Sequence, residues 1–547
     1  MSKIITAARA PIDEELKSVE HSFHELFVTD CTRHSSKTAF IDGTTGRTVS
    51  YAQVLGTSKR LAGAFYHQLN VRAGDVVALM MPNVPEYAAV FHGILALGAV
   101  VSPLNSMFTA AEIEKQARLS NAKCVITVSH FLAQVDEAVK AYNASAERQL
   151  QVLVLDKSTA LDPSVTIEPV PADYVHTPKA DDVIVLPFSS GTTGLPKGVQ
   201  LTNRNLVANL LQTKGAIVLD DKAIVMAVLP YFHIYGMIVI LHGFLHAGGI
   251  QITMPKFDME LYLDLVDKHK ANYLFVAPPI MVGFVKHPKT KTIDMSHVKF
   301  VMSGAAPLGE EVQRMTEPFF PNATIGQGYG LTETSPVISV CPTGEKIYGS
   351  AGTLIGSTEI RVVKVPEKET DEAVDLGPGE GEGELWVRGP QVMKGYLRAE
   401  DTAIVFPEPG WFRTGDLVKV DEKGNIFITD RIKELIKYKG YQVAPAELEA
   451  VIQTHPAVQE CIVVGVEDKE EGAGNEIPRA WVALKPSVAA EDREKTAAEI
   501  VAFVDGKVAP YKKLRGGVKI VDAIPKTASG KLLRRVVKDQ ENAERKA

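Results

Sequence analysis

Short apolar runs alternate with longer segments of helical spacing through the first part of the chain, and that alternation predicts the fold class. Asp75-Val-Val-Ala-Leu-Met-Met81 is an apolar run of strand length, Pro85 to Leu97 has helical length, and Ala99 to Pro103 is a second apolar run closed by proline. Together they read as a βαβ unit. Thr109-Ala-Ala-Glu112 reads as a capping box opening a helix through Ile113 and Ala117, and Cys124 to Val128 supplies the next buried strand. Strands alternating with helices at this spacing predict an α/β fold with largely parallel, doubly wound sheets.

One stretch departs from the alternation. From Ala223 to Pro255 there is no Asp, Glu, Lys or Arg, which is long enough to span a bilayer. Pro230, His233, His242, His246 and Gly248-Gly249 interrupt it, and these fit poorly with a lipid-facing helix. A strand (Ile224 to Leu229), a loop (Pro230 to His233), a buried helix (Tyr235 to His246) and a second strand (Ile250 to Met254) account for it, so no transmembrane segment is expected. His242 and His246, four apart with no third ligand, are expected to pack rather than hold a metal.

Length and composition then set the scale. At roughly 150 residues per domain, 547 residues predict three or four domain-sized units. With 45% hydrophobic and 23% charged residues, a disordered, fibrous or membrane-embedded chain is a poor reading. A net charge of −7 gives no sign of nucleic acid as the main partner. Cys31, Cys124, Cys341 and Cys461 form no Cys-x-x-Cys pair, so neither a zinc site nor a disulfide framework is implied and a reducing compartment fits. Met1 to Ala10 has no continuous apolar core and the last residues are not Ser-Lys-Leu, so the expected location is cytoplasmic. Charge is unevenly spread: residues 431–547 hold 21 Lys and Arg against 18 Asp and Glu, while residues 1–430 hold 38 against 48. A small basic unit following a large acidic one suits a lid that closes on a polyanion, and equally an ordinary solvated surface. Between them, Pro366 to Gly383 is acidic and rich in Gly and Pro, an exposed loop between two strands.

Candidate chemistry starts after the apolar strand Val183 to Phe188, with Ser189, Ser190, Gly191, Thr192, Thr193, Gly194, Leu195, Pro196, Lys197 and Gly198. Three glycines allow close backbone approach, four hydroxyls donate hydrogen bonds and Lys197 adds charge, which makes a phosphate cradle. It is not a Walker loop, because Pro196 precedes the lysine and Gly198 follows it. The segment from Gly198 to Leu201 reads as a strand with Thr202 capping the next helix, so the loop joins two strands; the bland alternative is a flexible hairpin turn. This run resembles the phosphate-loop signature of the acyl-adenylate-forming superfamily. Gln327-Gly-Tyr-Gly-Leu-Thr-Glu333, Gly383-Glu-Leu-Trp-Val-Arg-Gly389, Gly410-Trp-Phe-Arg-Thr-Gly-Asp416, Asp430-Arg-Ile-Lys-Glu-Leu-Ile-Lys-Tyr-Lys-Gly-Tyr-Gln-Val443 and Pro525-Lys-Thr-Ala-Ser-Gly-Lys531 resemble its later motifs, in order. Within the superfamily the chain is most similar to 4-coumarate:CoA ligases, medium-chain acyl-CoA synthetases and beetle luciferases.

That resemblance implies a large N-terminal unit of several subdomains over residues 1–429 and a small mobile α+β unit over 430–547, hinged near Asp430. It implies a carboxylic acid, ATP and coenzyme A as substrates with Mg2+ as cofactor: the acid attacks the α-phosphate to give acyl-AMP, and the CoA thiol then takes the acyl group. Glu333 resembles the magnesium-holding glutamate, Thr332 the α-phosphate contact and Lys531 the mobile lysine on the reacting oxygens. Asp416 and Arg431 would hold the ribose. Gly304, Ala305, Ala306, Gln327, Gly328, Tyr329 and Gly330 would wall the adenine slot, with Ile428, Lys433 and Lys437 completing the nucleotide site. His233 would border the carboxylate; the acyl pocket would be formed by His233, Tyr235, Val239, Met302, Gly304, Gly328, Pro336 and Val337. Lys437, Lys256, Lys439, Gly440 and Gln442 would face CoA. Each of these side chains alone has a bland alternative, solvated surface for the lysines and close packing for the small residues.

Plant hydroxycinnamate ligases tend to carry a serine and a lysine where Val239 and Met302 stand, so a phenol hydroxyl would lose partners at a cost of about 1–3 kcal/mol. An aliphatic or less hydroxylated aryl acid is therefore expected. Competing functions are a luciferase-like oxygenase, a carrier-protein-loading adenylation enzyme, which His233 and Ile234 disfavour, and a nucleotide-binding pseudoenzyme, which Glu333, Lys437 and Lys531 disfavour.

Overall fold

In the computed structural model, residues 3–18, 22–162, 164–189, 196–365, 374–438, 441–468, 476–527 and 532–546 are described. The expected βαβ unit is present as Val76–Met80, the helix Tyr87–Leu95 and Val100–Pro103. Val76–Met80 pairs in parallel with Val100–Pro103 on one side and Cys124–Thr127 on the other. All four residues of each outer strand are buried, which explains why both read as unbroken apolar runs. Thr109 accepts from the Glu112 amide and Glu112 returns a bond to the Thr109 amide, closing the predicted capping box. This sheet runs Gly395–Tyr396, Lys197–Thr202, Val183–Val185, Val100–Pro103, Val76–Met80, Cys124–Thr127, Gln151–Val154, parallel except at the Lys197–Thr202 end.

A second sheet is parallel from Thr38–Asp42 through Ile250–Thr253, Ile224–Ala227, Tyr273–Val276 and Phe300–Ser303 to Thr324–Gly330. Its register aligns Val276 with Ser303 and Ser303 with Gln327, so the chain leaves two neighbouring strands at one level. In open α/β sheets that carboxyl edge is where ligands bind.

A third sheet is antiparallel and departs from the doubly wound expectation: Glu359–Val363, Glu382–Arg388, Phe412–Val420 and Ile426–Arg431 lie side by side. Its strands run antiparallel although the strand Gly395–Tyr396 of the first sheet and the helix Ala399–Val405 intervene between Glu382–Arg388 and Phe412–Val420. Asp416 stands directly opposite Arg431 in this ladder.

The uncharged stretch folds as strand Ile224–Ala227, helix Tyr235–His242 continuing into Gly243–Ala247, and strand Ile250–Thr253. No helix among the described residues is long and apolar enough to cross a membrane. The difference from expectation lies in the helix type, because Tyr235–His242 is a π-helix. His242 contributes to the wide turn: its Nδ1 lies 2.7 Å from the Met237 carbonyl five residues back. His242 packs on Phe23 and Phe91, while His246 pairs with Asp30 at 2.8 Å.

Beyond Arg431 the chain forms a smaller α+β unit. A hairpin (Ile436–Tyr438, Tyr441–Val443) and a sheet (Val458–Glu467, Glu476–Leu484, Val518–Val521) carry the helices Pro445–Gln453, Arg493–Asp505 and Arg534–Lys546. Ile436, Leu448, Ile452, Val463, Val482 and Ile500 give it a hydrophobic core separate from those of the larger unit. The Lys286 ammonium of the larger unit donates to the Val458 and Gln459 carbonyls of the smaller, at 3.2 and 2.9 Å.

Candidate active site

A cleft of about 1090 Å³, counting the solvent at its mouth, opens at the carboxyl edge of the second sheet. Gly304, Ala305 and the run from Gly328 to Glu333 supply one wall, because they follow Ser303 and Gln327, where the parallel pairing of these two strands ends. Close packing dictates the small residues there. A Cβ on Gly330 would overlap the Pro336 carbonyl, and one on Gly304 would lie 2.8 Å from the Tyr235 ring. Ala305 adopts φ +72°, a strained left-handed conformation for a residue with a Cβ. Gln327 holds this wall from behind, its amide accepting from the Leu308 N–H at 2.8 Å and donating to the Leu308 carbonyl at 3.1 Å.

Glu333 lines the cleft yet is only 5% exposed. Its Oε1 accepts from Ser189 Oγ at 2.6 Å and from the Tyr396 hydroxyl at 2.9 Å. Ser189 closes the strand Phe188–Ser189, which pairs with Lys197, so the base of the predicted phosphate loop is pinned beside Glu333. Ser190, Gly191, Thr192, Thr193 and Gly194 lie outside the described residues. Burial and then the Glu333 charge raise the Tyr396 pKa, which keeps the phenol a donor.

Further along, the Tyr329 hydroxyl donates to Asp416 Oδ2 at 2.7 Å and Arg431 Nε sits 2.9 Å from Asp416 Oδ1. The cross-strand register accounts for the second contact, since it sets a carboxylate directly opposite a guanidinium. Burial and the Asp416 charge raise the Tyr329 pKa, and Asp416 is the main cause of the rise at Arg431. A carboxylate offers about four lone-pair sites, so Asp416 retains acceptor capacity beyond these two partners.

The remaining cleft lining is mostly apolar: Ile217, Ile234, Tyr235, Met302, Pro336, Val337, Val340, Val405 and Phe412, with His233 beside them. Tyr235 directs its hydroxyl to the Met302 carbonyl at 3.4 Å.

The structure therefore gathers Ser189, His233, Tyr235, Met302, Gly304, Ala305, Gly328, Tyr329, Gly330, Thr332, Glu333, Pro336, Val337 and Arg431 around one cleft, with Asp416 bonded to two of its walls. Other predicted residues stand elsewhere. Val239 is buried in the hydrophobic core, away from the cleft lining. Lys197 is buried against Asp401 at 3.0 Å and above the Tyr396 ring, rather than in the cleft wall. Ile428 packs against the core, and Ala306 lies one residue past the lining. Lys433 follows Arg431 in a short turn, and Lys256 and Lys437 are exposed outside the cleft. Lys439, Gly440 and Lys531 lie outside the described residues, and of Gln442 only the backbone is described, opposite Lys437. Asp430 sits inside the strand Ile426–Arg431, 4% exposed, accepting from the Arg431 and Ala446 amides at 2.7 and 3.1 Å.

Tyr396, Ile217, Val340, Val405, Phe412, Arg413 and Thr414 line the cleft without having been expected there. Phe412 to Thr414 sit inside a motif already quoted, a signal that was available. Tyr396 carries none, because it reaches Glu333 through pairing of Gly395–Tyr396 with Val199 and Gln200.

Comparison with known proteins matches this geometry. Residues 27–397 fit the sequence profile of the AMP-binding enzyme family and residues 447–531 that of the AMP-binding enzyme C-terminal domain. A 4-coumarate–CoA ligase of Petroselinum crispum is 38% identical over 528 residues, covering 94% of this chain and 92% of its own length. ATP-bound MatB from Rhodopseudomonas palustris superposes with a TM-score of 0.81 at 26% identity, covering 94% of this chain and 98% of the other. The o-succinylbenzoate CoA synthetase of Bacillus subtilis, solved with its acyl-adenylate intermediate, gives 0.78 at 26% identity over the same shares. A profile spanning more than half the sequence, on a fold that gathers residues of several of the quoted motifs around one cleft, establishes that the chain belongs to the AMP-binding enzyme family.

Proposed function

We propose that the protein is an ATP-dependent acid–CoA ligase. The observation that carries this reading is the juxtaposition of a buried, hydrogen-bonded carboxylate (Glu333), a Tyr329–Asp416–Arg431 cluster with spare acceptor capacity, and an apolar lining in one cleft. In the first half-reaction a carboxylate oxygen of the acid bonds to the α-phosphorus of ATP, the bond from that phosphorus to the bridging oxygen breaks, and pyrophosphate leaves. In the second, the CoA sulfur bonds to the acyl carbon, the C–O bond to AMP breaks, and the thiol proton passes to solvent.

This chain's residues divide that task. Asp416 accepts from the ribose hydroxyls, while Arg431 and Tyr329 fix its orientation. Tyr329, Gly328 and Gly304 to Ala305 admit a flat base, and Thr332 stands beside Glu333 to meet the α-phosphate. Ser189, with the loop that follows it, meets the outer phosphates. Glu333 suits Mg2+: it is an oxygen donor whose Oε1 is held by two hydroxyls while Oε2 accepts no hydrogen bond among the described residues. Mg2+ is commonly bound by one or two carboxylates plus substrate phosphates. When bound it neutralises phosphate charge. Lys531 is the cation proposed for the reacting oxygens, and Lys437, Lys256, Lys439, Gly440 and Gln442 the CoA-facing group. Residues 1–429 and 430–547 are proposed as the two moving units, turning at Asp430, and the proposed location is cytoplasmic.

For the acid, the apolar lining supports a medium-chain fatty acid or an arylpropenoic acid without a buried phenol. The test is release of AMP and pyrophosphate with ATP, Mg2+ and CoA across fatty, benzoic and cinnamic acids. Acid-dependent turnover is expected, strongest for an unhydroxylated acid. Absence of turnover with every acid would overturn the ligase reading, and 4-coumarate as the best substrate would overturn the specificity.

A further inference from the structure

A second cavity lies against the helix Asn203–Ala216 and shares no lining residue with the catalytic cleft. Its walls are Arg33, His34, Leu210, Thr213, Lys214, Leu219, Gly243, His246 and Ala247. The functional reading above uses none of them. Among the described residues this lining contains no carboxylate and no side-chain amide, while it contains an arginine, a lysine and a hydroxyl. Thr213 is 1% exposed and its Oγ1 has no hydrogen-bond partner, although a buried hydroxyl is normally satisfied. Helical spacing places Leu210, Thr213 and Lys214 on one face, so the orphan hydroxyl has an apolar residue and a cation as neighbours.

The cations are anchored from behind. Arg33 bonds Asp30 at 2.6 Å, the His246 carbonyl at 2.9 Å and His34 Nε2 at 3.1 Å. A guanidinium has five donors, so donors remain. His246 is fixed on Asp30 at 2.8 Å. Lys214 meets Glu15 at 3.3 Å and keeps further ammonium protons. Leu210, Leu219 and Ala247 give the same cavity an apolar side.

We propose that this cavity is a second binding site, for a small amphiphilic carboxylate or equivalent monoanion. Its head would accept from Thr213, Arg33 and Lys214, and its tail would lie against Leu210, Leu219 and Ala247. The site shares structure with the catalytic cleft. Ile217 lines the cleft and Leu219 lines this cavity, two residues apart and therefore within about 7 Å along the chain. On the same helix Asn209 exchanges two hydrogen bonds with the backbone of Val337, a cleft residue, at 3.0 and 3.1 Å.

Gly243 provides a blocking variant. Its backbone is helical (φ −60°, ψ −45°), and a Cβ there would lie 3.4 Å from the Ile238 carbonyl oxygen and 4.0 Å from Leu219, ordinary contact distances that leave room for a side chain. The probe is octane-1-sulfonate, which has the anion and the tail but no carbonyl carbon to pass to a thiol. Isothermal titration of the full chain is expected to show a binding component that Gly243→Leu abolishes and that isosteric Thr213→Val weakens about tenfold. Both variants should keep the wild-type melting temperature and acid-dependent pyrophosphate exchange, which shows that they fold. No sulfonate binding by wild type, or identical titrations for wild type and both folded variants, would overturn the proposal. If Gly243→Leu fails to fold, Thr213→Val alone decides it, since it changes neither size nor helix backbone.

Discussion

Two phenols, the buried Tyr396 and the half-buried Tyr329, orient the two carboxylates of the catalytic cleft, Tyr396 on Glu333 and Tyr329 on Asp416. In both, burial and the neighbouring charge favour the protonated hydroxyl, so each remains a hydrogen-bond donor. Removing one should therefore loosen a carboxylate without unfolding its wall. Tyr396→Phe is expected to lower pyrophosphate exchange about tenfold and to raise the apparent KM for MgATP, because Glu333 Oε1 keeps only Ser189. A fall in exchange with unchanged KM, measured over a magnesium titration, would count against Tyr396 as a positioning residue. Glu333, Tyr329 and Asp416 were reached through an ordered set of motifs that resembles the superfamily, since each side chain taken alone has a bland alternative. Tyr396 was not, because its function arises from pairing between residues 196 positions apart, where Gln200 donates to its carbonyl. Pairing across such a distance leaves no local pattern.

The element that most changes the reading of specificity is the π-helix Tyr235–His242. The resemblance implied that Tyr235 and Val239 line one pocket, and in an α-helix residues four apart do share a face. A chain closing i→i+5 bonds turns less per residue, so side-chain register drifts along it. Tyr235 reaches the cleft while Val239 is packed in the core. Helical length and apolarity were legible here. The hydrogen-bond class was not, because it depends on tertiary partners such as His92, whose Nε2 lies 2.9 Å from His242 Nε2. The two positions should thus separate on mutation. Met302→Lys is expected to shift the kcat/KM ratio of 4-coumarate to octanoate upward by about tenfold, by supplying a donor to a phenol. Val239→Ser should leave that ratio unchanged and cost about 1–3 kcal/mol of stability by burying an unpaired hydroxyl, read from denaturant unfolding. An equal selectivity shift in both variants would mean that Val239 reaches the substrate.

Over the whole molecule, the parallel sheets and the charge step near residue 430 were legible, because alternating period and composition are properties of sequence. The antiparallel sheet and the Lys286 tether were not, since both depend on which surfaces meet after folding. Asp430, the proposed turning point, is a buried carboxyl whose pKa is raised to about 6 by desolvation. A folded-state pKa above the unfolded value gives stability that is full below pH about 4 and lost as pH rises through 6. The stability of wild type relative to Asp430→Asn should therefore fall by at most about 3 kcal/mol between pH 4 and 7. A difference that does not vary with pH, measured by denaturant unfolding, would exclude that titration. Asp430→Pro should keep acyl-AMP synthesis and lose most thioester synthesis by restricting φ, whereas Asp430→Ala, which also loses the Arg431 and Ala446 contacts, should keep both. Parallel behaviour of the two variants would place the hinge elsewhere. Arg431 follows Asp430 directly and grips Asp416 from the opposite strand. Any rotation at 430 moves one of the partners of the proposed sugar-binding carboxylate. Nucleotide affinity and the posture of the smaller unit are then reciprocal: whichever arrangement holds AMP more tightly is favoured by AMP in the same ratio. On the proposed hinge, release of spent nucleotide and resetting of the smaller unit for the next turnover are thereby coupled equilibria.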